Sequence, residues 1–269
     1  MDRHIPAGMD PAIVADVDVR LDAIAREHNV AIAFAIESGS RAWGFPSPDS
    51  DYDCRFVFIR PEADYLALFR MRDVIETPLT PILDVNGWDL AKALRLLLKG
   101  NAVIIEWLTS PIIYRAEPRF RQALLALAMD IADRALIGRH YLHLARRTQK
   151  EWLSDPDQVA LKKIFYVLRP ALALRWLRLH AAANVAPMHF PTLVAGAQLG
   201  GDVADEIEAL LRTKATTREM GAGTAPRPIL DLIASELALA EPADCRSHPA
   251  DPKTVAKAED FFLRTIKGR

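Results

Sequence analysis

Hydrophobic residues first repeat along this chain with the period of a helix. Val14, Val17, Leu21 and Ile24 fall on one face and predict an amphipathic helix over about residues 10–28, stopped at Asn29. Val30 to Ile36 is then a continuous apolar run with β-branched members, the pattern of a buried strand. Gly39 to Gly44 predicts a turn with one helical turn, Pro46 to Ser50 a loop, and Tyr52 to Ile59 a second strand. Two shorter strands are expected near Asp73–Glu76 and Pro81–Val85. From Trp88 onward the period becomes helical and stays so. Helices are expected near 88–99, 101–108, 117–126, 129–153, 157–183, 202–213, 227–240 and 252–267. Gly and Pro clusters at 186–191, 221–228 and 242–252 punctuate the second half.

This order of elements predicts an α+β fold. A small mixed sheet flanked by helices occupies residues 1–115, and an all-helical C-terminal domain follows over 116–269. No internal repeat, low-complexity tract or flexible linker interrupts the chain, so the two parts are expected to pack closely.

Composition narrows the function classes. The 269 residues carry a formal net charge of -1, which excludes nucleic-acid binding by bulk charge and leaves room for a local basic face. Arg139, His140, Arg146, Arg147 and Lys150 on one long predicted helix read either as an RNA track or as a solvated face. The two cysteines, Cys54 and Cys245, lack metal-ligand spacing and read as reduced thiols, which points to the cytoplasm. The N-terminus shows no apolar signal-peptide core, and no apolar run reaches membrane-spanning length; no membrane partner is expected. The seven histidines show no metal-ligand pairing.

The chemistry concentrates in Glu37-Ser-Gly-Ser-Arg-Ala-Trp-Gly-Phe-Pro-Ser-Pro-Asp-Ser-Asp-Tyr-Asp-Cys-Arg-Phe-Val-Phe-Ile59. Residues two apart on a strand share a face, so Asp51, Asp53 and Arg55 project together, while Cys54 points to the opposite face and into the core. Adjacent carboxylates repel unless a cation lies between them, and oxygen ligands of high charge suit magnesium. The bland alternative is a solvated Asp-rich turn opening a strand. Gly39-Ser40, directly after a buried strand, can direct backbone N–H groups and a hydroxyl at a phosphate, or can be an ordinary capped turn. Arg41 either supports that turn or pairs with Asp49, and Arg55 either reaches phosphate or bridges the Asp pair. Lys162, Tyr166 and Arg169 stand at i, i+4 and i+7 on one predicted helix. They form a nucleotide-binding face or a plain amphipathic one. Trp43 reads as shaping a pocket mouth; Trp88, Glu106 and Trp107 read as packing groups.

Gly39-Ser40, ten residues, then Asp51-x-Asp53 on an apolar strand resembles the signature of the DNA-polymerase-β-like nucleotidyltransferase superfamily. Glu37-Ser-Gly-Ser-Arg-Ala-Trp-Gly-Phe, Asp49-Ser-Asp-Tyr-Asp, Gly87-Trp-Asp-Leu, Glu106-Trp-Leu-Thr-Ser-Pro and Lys162-Lys-Ile-Phe-Tyr-Val-Leu-Arg-Pro170 are similar to a bacterial nucleotidyltransferase subfamily linked with RNA repair. The likeness spans about residues 35–180. It implies a nucleotidyltransferase sheet and a helical domain that completes the nucleotide cleft. It also implies a magnesium-dependent transfer of a nucleoside monophosphate from a triphosphate to an acceptor hydroxyl. Two ions would be held by Asp51, Asp53 and a third carboxylate on a neighbouring strand. Asp84 at the end of Pro81–Val85 is the choice, with Asp89 as runner-up or simply a residue in the first turn of the next helix. Gly39, Ser40, Arg41, Lys162, Tyr166 and Arg169 would bind the nucleotide. The acceptor is an RNA end, a protein side chain or a small molecule. The alternative is a non-catalytic nucleotide sensor or antitoxin-like module that keeps the fold.

Overall fold

The structure, a computed structural model, describes residues 2–218, 220–240 and 251–268. In chain order the first elements are β1 (Asp2–His4), α1 (Pro11–Glu27), β2 (Ala31–Glu37), α2 (Gly39–Trp43), β3 (Tyr52–Ile59), α3 (Glu62–Tyr65), β4 (Val74–Glu76) and β5 (Leu83–Asp89). Then come α4 (Leu90–Leu98), α5 (Ala102–Thr109), β6 (Ile113–Ala116), α6 (Pro118–Ile131) and α7 (Arg134–Trp152). The remainder are β7 (Val159–Ala160), α8 (Leu161–Leu179), α9 (Phe190–Gly196), α10 (Gly201–Thr216), β8 (Ala222–Gly223), α11 (Arg227–Leu239) and α12 (Pro252–Lys267).

They form two compact units. The first holds residues 2–42, 51–131 and 251–268; the second holds 43–50, 132–218 and 220–240. The observed division is therefore not a single cut near residue 115, because α6 and α12 belong with the sheet. Among the described residues no helix is long and apolar enough to cross a membrane. Cys245 and the 242–250 part of the last Gly/Pro cluster lie outside the described residues.

In the sheet unit six strands run in the order β1-β6-β2-β3-β5-β4, all antiparallel to their neighbours except the parallel pair β3–β5. The fold is thus α+β with a mixed sheet. Asp10 starts α1 by accepting from the N–H of Ala12, and Pro11 suits the first helical position, where no N–H is needed. The helix buries Val14, Val17, Leu21 and Ile24 against Ala35, Cys54, Phe56, Phe58 and Val85. Alternation along β3 sends Tyr52, Cys54, Phe56 and Phe58 into this core and leaves Asp53 and Arg55 on the other face. Cys54 is fully buried, as its place in the alternation predicts, and burial pushes its thiol well above the usual range.

In the helical unit α7 and α8 pack along their lengths. Ile137, Tyr141 and Ala145 of α7 and Phe165, Leu168 and Leu172 of α8 are buried. Glu236 of α11 lies between Arg175 and Arg178 of α8, each at 2.7 Å. Thus the helices are joined by charge as well as by apolar contact.

Several expectations need correction. The break expected between the helices over 117–126 and 129–153 falls later: α6 runs on to Ile131, and Asp133 starts α7 by accepting from the N–H groups of Ala135 and Leu136. The helix expected over 157–183 is shorter at both ends. β6 falls where no strand was expected, yet it sits between β1 and β2 inside the sheet. The strand expected over Pro81–Val85 runs instead from Leu83 to Asp89, so Asp84 lies near its start.

Gly87 pairs with Phe56 across the parallel strands, and a methyl group there would meet the Phe56 ring at 2.3 Å. The ring is fully buried. Gly87→Ala should therefore cost about 1–3 kcal/mol, read as a lowered urea midpoint. An unchanged midpoint would show that the ring repacks freely.

Candidate active site

The parallel register sets Asp53 of β3 directly beside Asp84 of β5, half-buried on the face opposite α1. Arg55 lies between them, with Nη2 at 2.9 Å from Asp53 Oδ1 and 2.7 Å from Asp84 Oδ2. Its Nη1 donates to the carbonyls of Cys54 and Asp84, which fixes the guanidinium plane. Asn86 Nδ2 adds a bond to Asp84 Oδ1 at 3.2 Å. Burial raises the pKa of Asp53 and the Arg55 charge opposes it, while Asp84 and Asp51 push it up further. Arg55 thus takes the bridging role foreseen for it, between Asp53 and Asp84 rather than between Asp51 and Asp53.

The Gly-Ser turn closes on the same carboxylate. Gly39 has φ +62°, and a Cβ on it would lie 2.2 Å from Asp53 Oδ2. Only glycine suits both the left-handed backbone and the close approach. Ser38 N–H donates to the carbonyl of Asp53, tying the turn to β3. Arg41 donates from Nε to the carbonyl of Asp51 at 3.2 Å, and its guanidinium lies 4.0 Å from the centre of the Tyr52 ring. Arg41 therefore supports the turn. Asp51 is exposed at the mouth of β3. Among the described residues no three His, Cys, Asp or Glu side chains are gathered closely enough to ligate one ion.

Beneath the turn is a residue that the sequence reading did not single out. Glu37 is fully buried, accepts the Asp53 N–H on Oε1 at 2.9 Å, and accepts the Tyr114 hydroxyl on Oε2. Its side chain thus replaces the backbone acceptor that β2 withdraws when it turns away at Ser38. Burial raises the Glu37 carboxyl to about 7, against the opposing hydrogen bonds of Tyr114 and Asp53. The signal was available: an acid closing an apolar strand immediately before Gly-Ser.

Asp89 has a structural place. It is buried, caps α4 through the Ala91 N–H, receives the Tyr65 hydroxyl at 3.0 Å and lies beside Arg60. Lys92 pairs with Asp73 at 3.2 Å. Trp88 and Trp107 pack ring on ring, with centroids 4.0 Å apart.

In the helical unit Lys162, Tyr166 and Arg169 do share one face of α8, and that face meets residues of the 43–50 loop. Lys162 Nζ is 2.7 Å from Asp49 Oδ2, an ion pair that helical spacing alone did not signal. Arg169, buried, lies over the Trp43 ring at 4.1 Å, and the partly exposed Tyr166 meets that ring edge-on at 5.9 Å. Phe45 stacks on Phe165 and meets Phe190. Buried Lys214 reaches Ser47 Oγ at 3.4 Å. Nothing in the sequence around Lys214 signals that contact. Gly44, at φ +87°, approaches His189 so closely that a Cβ would lie 2.5 Å from Nε2.

Residues 13–264 match the model of a family described as the RNA repair pathway DNA polymerase beta family. A relative from Bacillus subtilis (strain 168), named Uncharacterized protein YcgL, is 40% identical over 200 residues, covering 74% of this chain and 76% of that protein. A solved nucleotidyltransferase-like protein from Exiguobacterium sibiricum 255-15 aligns over 94% of this chain and 80% of its own, at 11% identity and a TM-score of 0.31.

Glu37 generates a pH prediction. The folded protein holds its carboxyl proton up to about pH 7, whereas the unfolded chain releases it near about 4.3. The stabilisation from the protonated form is therefore complete below the unfolded value and declines as pH rises through about 7. Glu37→Gln keeps an acceptor for the Asp53 N–H and cannot ionise. Unfolding free energies from urea titrations at pH 5 and pH 8 should fall further in the wild type than in the variant, by about 3 kcal/mol. Parallel pH profiles would place the titration elsewhere.

Proposed function

The chain belongs to the RNA repair pathway DNA polymerase beta family, and from that premise we propose that it is a magnesium-dependent nucleotidyltransferase. It moves a nucleoside monophosphate from a nucleoside triphosphate to an acceptor hydroxyl at an RNA end. The observation that carries the reading is Asp53 and Asp84 side by side, closed over by a side-chain-free Gly39. A site with two adjacent half-buried carboxylates favours positive charge, and Arg55 between them answers that demand in the protein alone.

Asp53 and Asp84 offer only carboxylate oxygen, the donor type that suits magnesium, and the exposed Asp51 at the strand mouth would have to draw in to join them as a third ligand. When bound, the metal supplies charge neutralisation on the phosphates. The chain's own groups do the rest. Gly39 and Ser40 offer backbone N–H groups and a hydroxyl to phosphate oxygens, with Arg41 supporting the turn. The acceptor hydroxyl attacks the α-phosphorus, the bond to the β-phosphate oxygen breaks, and pyrophosphate leaves with that electron pair. The hydroxyl proton passes to an Oδ of Asp84. In the helical unit Lys162 and Tyr166 are the proposed nucleotide contacts, supported by Arg169. A cytoplasmic location belongs to the same proposal and rests on the buried, free thiol of Cys54.

A second reading is a nucleotide-binding module without catalysis. Arg55 favours it, because the protein already neutralises its own carboxylates.

Two measurements separate the readings. Calorimetric titration of each of the four nucleoside triphosphates with magnesium should give binding of one of them, weakened in Asp53→Asn. Transfer of labelled nucleotide to an RNA oligonucleotide should fall at least about 100-fold in Asp53→Asn and in Asp84→Asn, with circular dichroism unchanged. Binding without transfer by the wild type selects the second reading. Transfer at the wild-type rate by Asp53→Asn overturns the first.

A further inference from the structure

We infer that the outward face of α7 binds the phosphate backbone of an RNA strand. The inference rests on the reading above in one respect, that the acceptor is RNA. Arg139, His143, Arg146, Arg147 and Lys150 recur at i, i+4, i+7, i+8 and i+11, which puts them on one helical face. His143, Arg146, Arg147 and Lys150 are exposed and Arg139 is half-exposed, while Ile137, Tyr141, Ala145 and Thr148 bury the other side. The stripe spans about 16 Å at 1.5 Å per residue.

No acidic residue occurs in the chain between Asp133 and Glu151. Three exposed helical cations elsewhere are each answered by a carboxylate four residues away: Arg212 by Glu208, Arg227 by Asp231, Arg264 by Asp260. Arg139, Arg147 and Lys150 meet no carboxylate at ion-pair distance among the described residues. The helix dipole favours cations only in the last turn and therefore accounts for Lys150 alone. Arg139 sits in the second turn of the helix, far from the end where the dipole favours a cation. Arg139, Arg147 and Lys150 thus place three such charges in one line on a chain of net charge -1. A protein partner would want apolar or aromatic anchors at the centre of such a face, and the stripe has none. A linear polyanion needs only the charges.

The test uses the full chain and an unstructured, fluorescein-labelled RNA 15-mer, followed by anisotropy from 25 to 200 mM KCl. Two triple charge reversals are compared: Arg139→Glu/Arg147→Glu/Lys150→Glu on the stripe, and Arg212→Glu/Arg227→Glu/Arg264→Glu off it. The wild type should bind RNA with a salt-dependent affinity. The stripe variant should bind at least about tenfold more weakly, with a log–log salt slope shallower by about 2, the value for three lost contacts to a single strand. The off-stripe variant should keep most of the affinity. Equal loss in both variants means bulk charge and overturns the assignment, as does wild-type affinity in the stripe variant. Binding of an oligoglutamate peptide with no binding of RNA also overturns it, in favour of an acidic protein. Nucleoside triphosphate titration of the same proteins keeps the two claims apart. RNA bound at the stripe without nucleotide transfer defeats the proposed reaction and leaves this surface standing.

Discussion

Two carboxylates set beside each other on neighbouring strands repel unless positive charge lies between them. The sheet unit is organised around that fact. The β3–β5 register brings Asp53 to Asp84, and Arg55, two residues along β3 on the same face, supplies the charge. The same alternation drives Cys54, Phe56 and Phe58 into the core with α1. A slip of one residue would bury the acids and expose the aromatics, so the hydrophobic core fixes the register of the polar face. Glu37 then fixes the height of Asp53 by taking its N–H where the ladder ends. Gly39 fills the space above it without a side chain.

The helical unit imposes a different kind of order. Four of the loop residues between Trp43 and Asp49 are each answered by a separate group: Trp43 by Arg169, Phe45 by Phe165 and Phe190, Ser47 by Lys214, Asp49 by Lys162. Cation–π, aromatic, hydrogen-bonding and ionic contacts all act on one short segment rich in Pro and Gly. Such a segment has little regular backbone bonding of its own and depends on side chains for its shape.

Much of this was legible in the sequence. The helical period located α1, a continuous apolar run located β2, and an apolar strand pattern located β3. The Gly-Ser and Asp-x-Asp spacing located the candidate site. The common face of Lys162, Tyr166 and Arg169 followed from helical spacing alone, although its partners, Trp43 and Asp49, lie more than a hundred residues away and leave no local signal. β6 was missed because four residues are too few to show a period, and its place in the sheet comes from pairing with β1 and β2. The break between α6 and α7 was expected a few residues too early, because apolar spacing gives no sharp boundary there and only the Asp133 cap marks where the new helix starts. Glu37 was missed because an acid at a strand end reads as the start of a turn. Its burial is a tertiary fact.

The two units are not successive along the chain. The backbone leaves the sheet unit after residue 42, returns at 51, leaves again after 131, and is back in it by 251. The signature that joins Gly39-Ser40 to Asp51 is therefore stitched through both. Neither unit corresponds to a continuous stretch of coding sequence, so no single recombination event can transplant one without severing the other.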